Sequence, residues 1–170
     1  GTVHADNPSL TTRLESKRGA DPVRIVLDTH LSISPDANIL KLDSNSDTIL
    51  VTGKSISAAK KKKVVRNGVR LLAQPLKNGR IDLRSLMVRL GSEGITSLLI
   101  EGGSTVLASA LNSGIVDKVL FFYAPKILGG DDGKPICRGS GPALMKDCIQ
   151  LNRIRVQRFG EDVMIEGYIQ

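Results

Sequence analysis

Short apolar runs separated by polar, turn-forming residues recur along the chain and predict alternating strands and helices. Residues 23–27, 47–52, 69–73 and 96–100 are rich in Val, Ile and Leu and predict four strands. The last run, TSLLI, has no polar alternation, which is typical of a parallel strand covered on both faces. We therefore expect residues 96–100 to form a buried strand of a parallel sheet.

Three segments between or after these runs predict helices. Residues 57–67 begin with Ser57 as a candidate N-cap, and residues 104–113 are followed by Gly114, where a C-terminal glycine is expected. In residues 82–91, apolar residues recur at helical spacing: Leu83, Leu86, Met87 and Leu90. That spacing predicts an apolar helix face turned toward a core.

The two ends of the chain depart from this alternation. Residues 1–13 are polar and turn-rich and predict a loop. Residues 116–123 still continue the alternation and predict a further strand of the mostly parallel sheet. Residues 148–159 and 162–170 alternate polar and apolar positions around Gly160, which predicts an antiparallel hairpin. The element order predicts a single α/β domain of three layers, with a mostly parallel mixed sheet, helices on both faces and a C-terminal antiparallel hairpin.

Composition and charge narrow the range of partners. The 170 residues are 41% hydrophobic and only 3% aromatic, so we expect a core of Leu, Ile and Val. The formal net charge of +7 favours anionic partners such as phosphorylated metabolites, nucleotides or nucleic acid. The lysine run at residues 60–63 has no interleaved aromatic residues, which favours a solvated helix face over a nucleic-acid patch. A non-catalytic domain that binds nucleotides or nucleic acid stays open as an alternative function.

Cysteine usage and hydropathy bear on the location of the protein. Cys137 and Cys148 form neither a CxxC pair nor a disulfide framework, so we expect free thiols in a reducing compartment. Neither a signal peptide nor an apolar run long enough to span a bilayer is recognisable. A cytoplasmic protein without a membrane partner is the expectation.

A glycine turn between a predicted strand and a predicted helix is a candidate phosphate site. The sequence Glu101-Gly102-Gly103-Ser104-Thr105 would converge backbone N–H groups and the helix dipole on one point, and Ser104 or Thr105 could cap the helix. It matches neither the dinucleotide fingerprint GxGxxG nor a P-loop. A tight strand–helix turn with an ordinary serine cap is the structural alternative.

Glu101 adds a second feature to this turn. It ends an apolar run at what would be the carboxyl edge of a parallel sheet, where open α/β folds bind their ligands. A carboxylate there is well placed to accept hydrogen bonds from the N–H groups of a ligand. The alternative is an exposed glutamate at the end of a strand.

Three segments together carry a resemblance to a known family: GTVHADNPSLTTR, PVRIVLDTH and LLIEGGSTVLASALNSGIVDKVLFFYAPKILGG. In this order and spacing they resemble the reductase domain of the bifunctional riboflavin-biosynthesis deaminase/reductase, over essentially the whole chain. The resemblance implies a fold like that of dihydrofolate reductase. It also implies reduction of 5-amino-6-(5-phosphoribosylamino)uracil by NADPH to the ribitylamino product. Another oxidoreductase of the same fold with a different substrate is the nearest alternative.

The resemblance also implies roles for individual residues. In the first segment, Thr2 and Asp6 would contact NADPH, while Leu10 and Arg13 would contact the substrate, with Arg13 on the ribose 5′-phosphate. Asp6 would orient the cofactor, or else assist protonation. His4 falls at a position that the motif leaves open and is expected to be a surface residue.

The other two segments supply the rest of the implied site. Thr29 would lie next to the cofactor, and Glu101 would bind the pyrimidine ring of the substrate. The residues implied to carry the cofactor phosphate are Gly103, Ser104, Thr105, Val106, Leu107, Ala108 and Ser109.

The sequence departs from the family pattern before its first motif. The family's reductase domain begins with a strand bearing a K-x-x-x-S-x-D-G motif, followed by a helix and a strand, and its deaminase domain binds zinc; none of these is present in the chain. We therefore expect no metal site here, an unpaired strand edge and no activity from the 170 residues alone. A homodimer or higher homo-oligomer formed through the apolar residues 119–123 is a further expectation.

Overall fold

The computed structural model describes residues 2–13, 19–65 and 68–170, which form two compact units, Gly1–Leu98 and Leu99–Gln170. The elements of the first unit follow in chain order: α1 (Thr2–Asp6), β1 (Arg24–Leu27), a 3₁₀ turn (Asn38–Leu40), β2 (Thr48–Gly53), α2 (Ala58–Val64), β3 (Val69–Gln74), β4 (Leu76–Lys77), β5 (Arg80–Ile81) and α3 (Leu83–Ser92).

Strands β1, β2 and β3 form a parallel sheet in that order. The register aligns Leu27 with Val51 and Val51 with Leu72, so the carboxyl ends of the three strands meet at one edge. The central strand is covered on both faces, since Ile49, Leu50 and Val51 are fully buried. All three strands confirm the sequence predictions.

Two helices of this unit, α2 and α3, each have their N-terminus capped by one polar side chain. Ser57 Oγ accepts the backbone N–H of Lys60 at 3.4 Å, and Asp82 Oδ1 accepts the N–H groups of Arg84 and Ser85 at 3.1 and 3.3 Å. Such caps satisfy donors that the first helical turn leaves without a partner. Both predicted helices are therefore confirmed, although α2 ends at Val64 within the predicted range; residues 66–67 lie outside the described residues.

The predicted apolar face of α3 is confirmed by burial. Leu83, Leu86 and Leu90 are 7%, 1% and 2% exposed. Full burial of a leucine side chain contributes about 1.5–3 kcal/mol, so these three residues hold the helix in place. Helix α2 also agrees with its prediction, because its lysines at 60–63 are all exposed to solvent.

Between β4 and β5 lies a two-residue turn, Asn78–Gly79, a dipeptide that itself predicts a tight turn. Both residues have positive φ, 52° and 74°. This conformation matches the twist of a short antiparallel hairpin and favours asparagine and glycine.

The second unit contains α4 (Ser104–Asn112), β6 (Lys118–Tyr123), a 3₁₀ turn (Met145–Asp147), β7 (Leu151–Phe159) and β8 (Asp162–Ile169). Its sheet has the order β6-β8-β7, and both pairings are antiparallel. The predicted hairpin is confirmed, with Gly160 at φ 62° in its turn, and Gly114 follows α4 at φ 61° as predicted. Among the described residues, no helix is long and apolar enough to cross a bilayer.

The predicted strand at residues 96–100 is wrong. The segment has no regular structure, and most of it is exposed, with Leu99 at 69%. A strand exists only where another strand satisfies its backbone groups, and no strand in the described part of the chain pairs with this one. The parallel sheet therefore ends at β3. Strand β6 was expected to continue the parallel sheet, but it pairs antiparallel with β8.

The predicted loop at residues 1–13 is also partly wrong, because it contains α1. The N–H of Asn7 donates to the carbonyl of Val3 at 3.2 Å, and Asn7 itself has φ 42°. Asparagine is one of the few residues that readily end a helix in this left-handed conformation. A single helical turn closed in this way leaves no periodic signal in the sequence.

Candidate active site

Hydrogen bonds hold α1 and the loop that follows it to the rest of the first unit. Asn38 donates from its backbone N–H to Asn7 Oδ1 at 2.9 Å and from Nδ2 to the Asn7 carbonyl at 3.0 Å. His4 Nε2 lies 3.3 Å from Ser32 Oγ. The N–H of Thr12 donates to Asp21 Oδ1 at 2.9 Å. These hydrogen bonds do not use the side chains of Asp6 or Arg13.

The residues implied to bind ligands alternate with these contacts along the loop. Asp6 and Arg13 are exposed, whereas Leu10 has φ 52° and packs partly buried against the hydrophobic core. Leu10 therefore helps to hold the loop against the core, while part of its side chain stays accessible to solvent. The side chain of Thr2, the fourth implied residue, lies outside what the structure describes.

A compact turn follows β1 at the carboxyl edge of the parallel sheet. The Asp28 carboxylate accepts the N–H of Ser32 at 2.6 Å, the hydroxyl of Ser32 at 3.0 Å and the N–H of Ile33 at 2.7 Å. These bonds fix the backbone around Thr29, whose carbonyl accepts the N–H of Gly53 at 3.0 Å. The structure thus places Thr29 between the ends of β1 and β2, at the edge where open α/β sheets bind ligands.

Next to this edge lies a groove of about 520 Å³ between β3 and α3. Lys54, the residue directly after β2, lines it together with Arg89 of α3. At its base the buried side chain of Gln74 accepts the hydroxyl of Ser85 at 3.4 Å. The groove was not predicted; the available signal was a lysine immediately after a buried parallel strand.

In the second unit, α4 begins from a glycine. Gly103 is the N-cap, with φ 79° and ψ 106°, and no side chain caps the helix. The predicted cap by Ser104 or Thr105 is therefore wrong, because both residues already lie inside the helix. The Gly103 carbonyl accepts the N–H groups of Val106 and Leu107 at 2.8 and 3.0 Å. The first N–H groups of a helix lack a partner within the helix, and a start without a side-chain cap fits a phosphate.

The remaining residues implied for the cofactor are arranged along α4. Val106, Leu107 and Ala108 are half-buried, and the Ser109 hydroxyl donates to the Thr105 carbonyl at 2.8 Å within the helix. The Ser109 hydroxyl therefore already has a hydrogen-bond acceptor within the helix. Glu101 is exposed, two residues before the Gly103 cap.

One neighbour of this helix start had no signal in the sequence. The N–H of Arg138 donates to the Ser104 carbonyl at 3.1 Å and brings a basic residue of the exposed loop after β6 to the first residue of α4. In the described part of the chain no cluster of three His, Cys, Asp or Glu side chains could hold a metal ion. Cys137 and Cys148 are free thiols.

These features define the class of protein. It is an α/β protein with a parallel sheet and a helix that begins at a glycine N-cap. Residues 1–165 match the model of the RibD C-terminal domain, and the chain belongs to that family. It is 37% identical over 174 residues to the 2,5-diamino-6-ribosylamino-4(3H)-pyrimidinone 5′-phosphate reductase of Methanothermobacter thermautotrophicus, covering 97% of this chain and 74% of that protein.

Two further matches are longer proteins. The riboflavin biosynthesis protein RibD of Actinobacillus pleuropneumoniae is 35% identical over 165 residues, which are 97% of this chain and 43% of that protein. The solved deaminase/5-amino-6-(5-phosphoribosylamino)uracil reductase of Thermotoga maritima matches with a TM-score of 0.74 at 24% identity, over 99% of this chain and 43% of that one. The chain thus spans less than half the length of these two relatives, and the expected reductase-like α/β fold is confirmed.

Proposed function

We propose that the chain is the reductase domain of an enzyme that reduces 5-amino-6-(5-phosphoribosylamino)uracil to the ribitylamino product of riboflavin biosynthesis, with NADPH as the reductant, and that the 170 residues alone are inactive. The observation that carries the proposal is the start of α4 at Gly103, where no side chain caps the first N–H groups of the helix. A family whose members are named reductases supplies the reaction, and this helix start fits the phosphate of a dinucleotide.

The cofactor, when bound, supplies the hydride, and the chain supplies position and charge. Arg13 binds the ribose 5′-phosphate, for which a guanidinium can donate two parallel hydrogen bonds. Glu101 accepts hydrogen bonds from the pyrimidine, while Asp6 and Thr29 orient the cofactor. Asp6 is the last residue of α1 and its side chain is exposed, which favours a role in positioning the cofactor over one as a proton donor.

A preference for NADPH over NADH is supported by the groove at the carboxyl edge. Lys54 follows Gly53, whose N–H binds the carbonyl of Thr29, so the lysine stands close to a residue implied for the cofactor. An ammonium group there would pair with a 2′-phosphate, which NADH lacks.

The partners are part of the same proposal. The solved Thermotoga relative is named as both a deaminase and a reductase, and we propose a deaminase domain on the same polypeptide, in a cytoplasmic enzyme. A homodimer through β6 is supported by Leu120 and Phe122, which are 42% and 62% exposed on one face of that edge strand. On the same face Lys118 Nζ lies 2.8 Å from Glu166 Oε2, so these two charges are paired with each other.

Thermal melting with added ligands tests the cofactor half of this proposal. A ligand at one hundred times its Kd stabilises by about 2.7 kcal/mol, which corresponds to a rise of roughly 5–10 °C for a chain of this size. We expect that rise with NADPH, a smaller one with NADH at the same concentration, and a separate rise with ribose 5-phosphate. Equal melting temperatures with and without NADPH would contradict the proposal.

A further inference from the structure

A hydrogen-bonded cluster lies at the base of the segment that carries Arg13. The Asp21 carboxylate accepts the N–H of Thr12 through Oδ1 at 2.9 Å and the hydroxyl of Ser44 through Oδ2 at 2.8 Å. One residue earlier, the Ala20 carbonyl accepts the Thr12 hydroxyl at 2.8 Å. Thr12 is therefore bound twice, by its backbone and by its side chain, immediately before Arg13.

The other side of the Asp21 carboxylate is tied to the parallel sheet. Arg24, the first residue of β1, has a side chain only 2% exposed, and its Nη1 lies 3.5 Å from Asp21 Oδ2. The same guanidinium donates to Thr48 Oγ1 at 3.0 Å, to Ser44 Oγ at 3.2 Å and to the Ser46 carbonyl. A buried cation needs such partners, because an unpaired charge out of water is strongly unfavourable.

Asp21 therefore connects the backbone N–H of Thr12 to the side chain of Arg24. Arg24 belongs to β1 and is hydrogen-bonded to Thr48 of β2. Its own charge is engaged by these partners: the Thr12 N–H, the Ser44 hydroxyl and the Arg24 guanidinium lower the pKa of the Asp21 carboxyl, against the opposing effect of burial. The side chain of Arg13 is exposed, so an anion from solution can reach it.

We propose that Asp21 is a positioning residue for substrate: its bond to the Thr12 N–H holds the backbone at Arg13 where the guanidinium meets the phosphate of the substrate. The proposal rests on the role of Arg13 in the proposed function. A guanidinium on a backbone fixed before binding loses less conformational entropy when it pairs with phosphate. Loss of about 1.4 kcal/mol from this pairing is enough to weaken binding tenfold.

The test is steady-state kinetics of the natural protein with Asp21→Ala, Asp21→Asn and the control Asp36→Ala. Asp36 forms an ion pair with Lys41, 2.8 Å between Nζ and Oδ1, so its removal takes away a paired carboxylate of the first unit as Asp21→Ala does, without touching the bond to Thr12. We expect Asp21→Ala to raise the KM for the phosphorylated substrate about tenfold, while kcat and the KM for NADPH change less than twofold. Asp21→Asn keeps an acceptor oxygen for the Thr12 N–H and is expected to restore most of the affinity.

A double-variant comparison separates this role from general destabilisation. If Asp21 acts through Arg13, Asp21→Ala has no further effect on the substrate KM in an Arg13→Ala background. Should Asp21→Ala fold poorly, Thr12→Val removes the bond to the Ala20 carbonyl and is expected to raise the same KM by a smaller factor.

The possible failures are distinct. If Arg13→Ala leaves the substrate KM unchanged, the role of Arg13 in the proposed function is wrong and the inference fails with it. If Arg13→Ala raises the KM but Asp21→Ala does not, or if Asp21→Ala and Arg13→Ala multiply independently, only the positioning role of Asp21 is overturned.

Discussion

The N–H of Gly53 donates to the carbonyl of Thr29 at 3.0 Å and joins the end of β2 to the turn that follows β1. A Cβ atom on Gly53 would lie 3.1 Å from that carbonyl oxygen and 3.4 Å from Leu76 Cδ1. The close approach of the two strand ends therefore depends on the absence of a side chain at Gly53. Thr29, a residue implied for the cofactor, takes its position from this contact.

Gly53→Ala is expected to lower the free energy of unfolding by about 1–3 kcal/mol, because the added methyl group meets backbone on one side and Leu76 on the other. It should also weaken NADPH binding, since Thr29 must move. Urea denaturation and ligand titration measure the two effects. Gly91→Ala is the matched control: it lies in α3 with open space around it, and it is expected to stabilise by about 0.5–1 kcal/mol. Equal stability of the two alanine variants would refute the account of Gly53.

Gly103→Ala tests the helix start proposed for the cofactor phosphate. At φ 79° an alanine is strained by about 1–2 kcal/mol and can relax only by turning the first N–H groups of α4 away from their present direction. We expect the Kd for NADPH to rise about tenfold in isothermal titration. Gly94→Ala carries the same kind of strain, at φ 83° with open space around it, and should leave the Kd unchanged. If both variants bind NADPH as tightly as the parent chain, the phosphate does not bind at Gly103.

Lys54→Gln tests the basis of the preference for NADPH. A hydrogen bond to a charged partner contributes about 1.5–3 kcal/mol, so loss of the ammonium group should weaken NADPH binding about tenfold or more. NADH, which has no 2′-phosphate, should bind as before. Lys62→Gln, on the exposed face of α2, makes the same change in net charge and controls for the general field of the protein. A parallel loss of NADPH and NADH affinity would exclude the role of Lys54.

Glu93 gives the fold a defined dependence on pH. The hydrogen bonds and charges of Arg70 and Arg89 lower the pKa of its carboxyl in the folded chain, with the Arg70 hydrogen bond as the largest cause. Since the folded-state pKa is below the unfolded-state value, the carboxylate stabilises the chain above about pH 4, and that contribution is lost as the pH falls through the folded-state pKa. The difference in unfolding free energy between the parent chain and Glu93→Gln should therefore be present at pH 7 and shrink in acid. A difference that stays constant from pH 7 to pH 3 would show that the ion pairs do not contribute.

Local signals in the sequence predict much of this fold. Ser57 and Asp82 cap their helices as their types suggest, and the leucines of α3 are buried in the spacing that predicts them. These features depend on contacts within a few residues, which a single sequence displays. Residues 96–100 show the limit, because an apolar run becomes a strand only if a partner strand lies beside it.

In the candidate site, too, local features were predictable from the sequence and contacts between distant residues were not. The glycine turn was recognisable because glycine allows the positive φ that the backbone adopts just before the helix, although the cap proved to be Gly103 and not a serine. The bond between Thr12 and Asp21 was not predictable, since an aspartate without periodicity gives no sign of the backbone N–H that it accepts. Lys54 was missed for a similar reason: its neighbours in the groove come from β3 and α3, which lie further along the sequence.

The most direct test of the central claim is the rate of NADPH oxidation by the natural protein with 5-amino-6-(5-phosphoribosylamino)uracil, measured for the parent and for Arg13→Ala. We expect substrate-dependent oxidation by the parent and a fall of about a hundredfold in kcat/KM for Arg13→Ala, since each charge-assisted bond to the phosphate contributes about 1.5–3 kcal/mol. No substrate-dependent oxidation by the parent, or an unchanged kcat/KM in Arg13→Ala, would contradict the account.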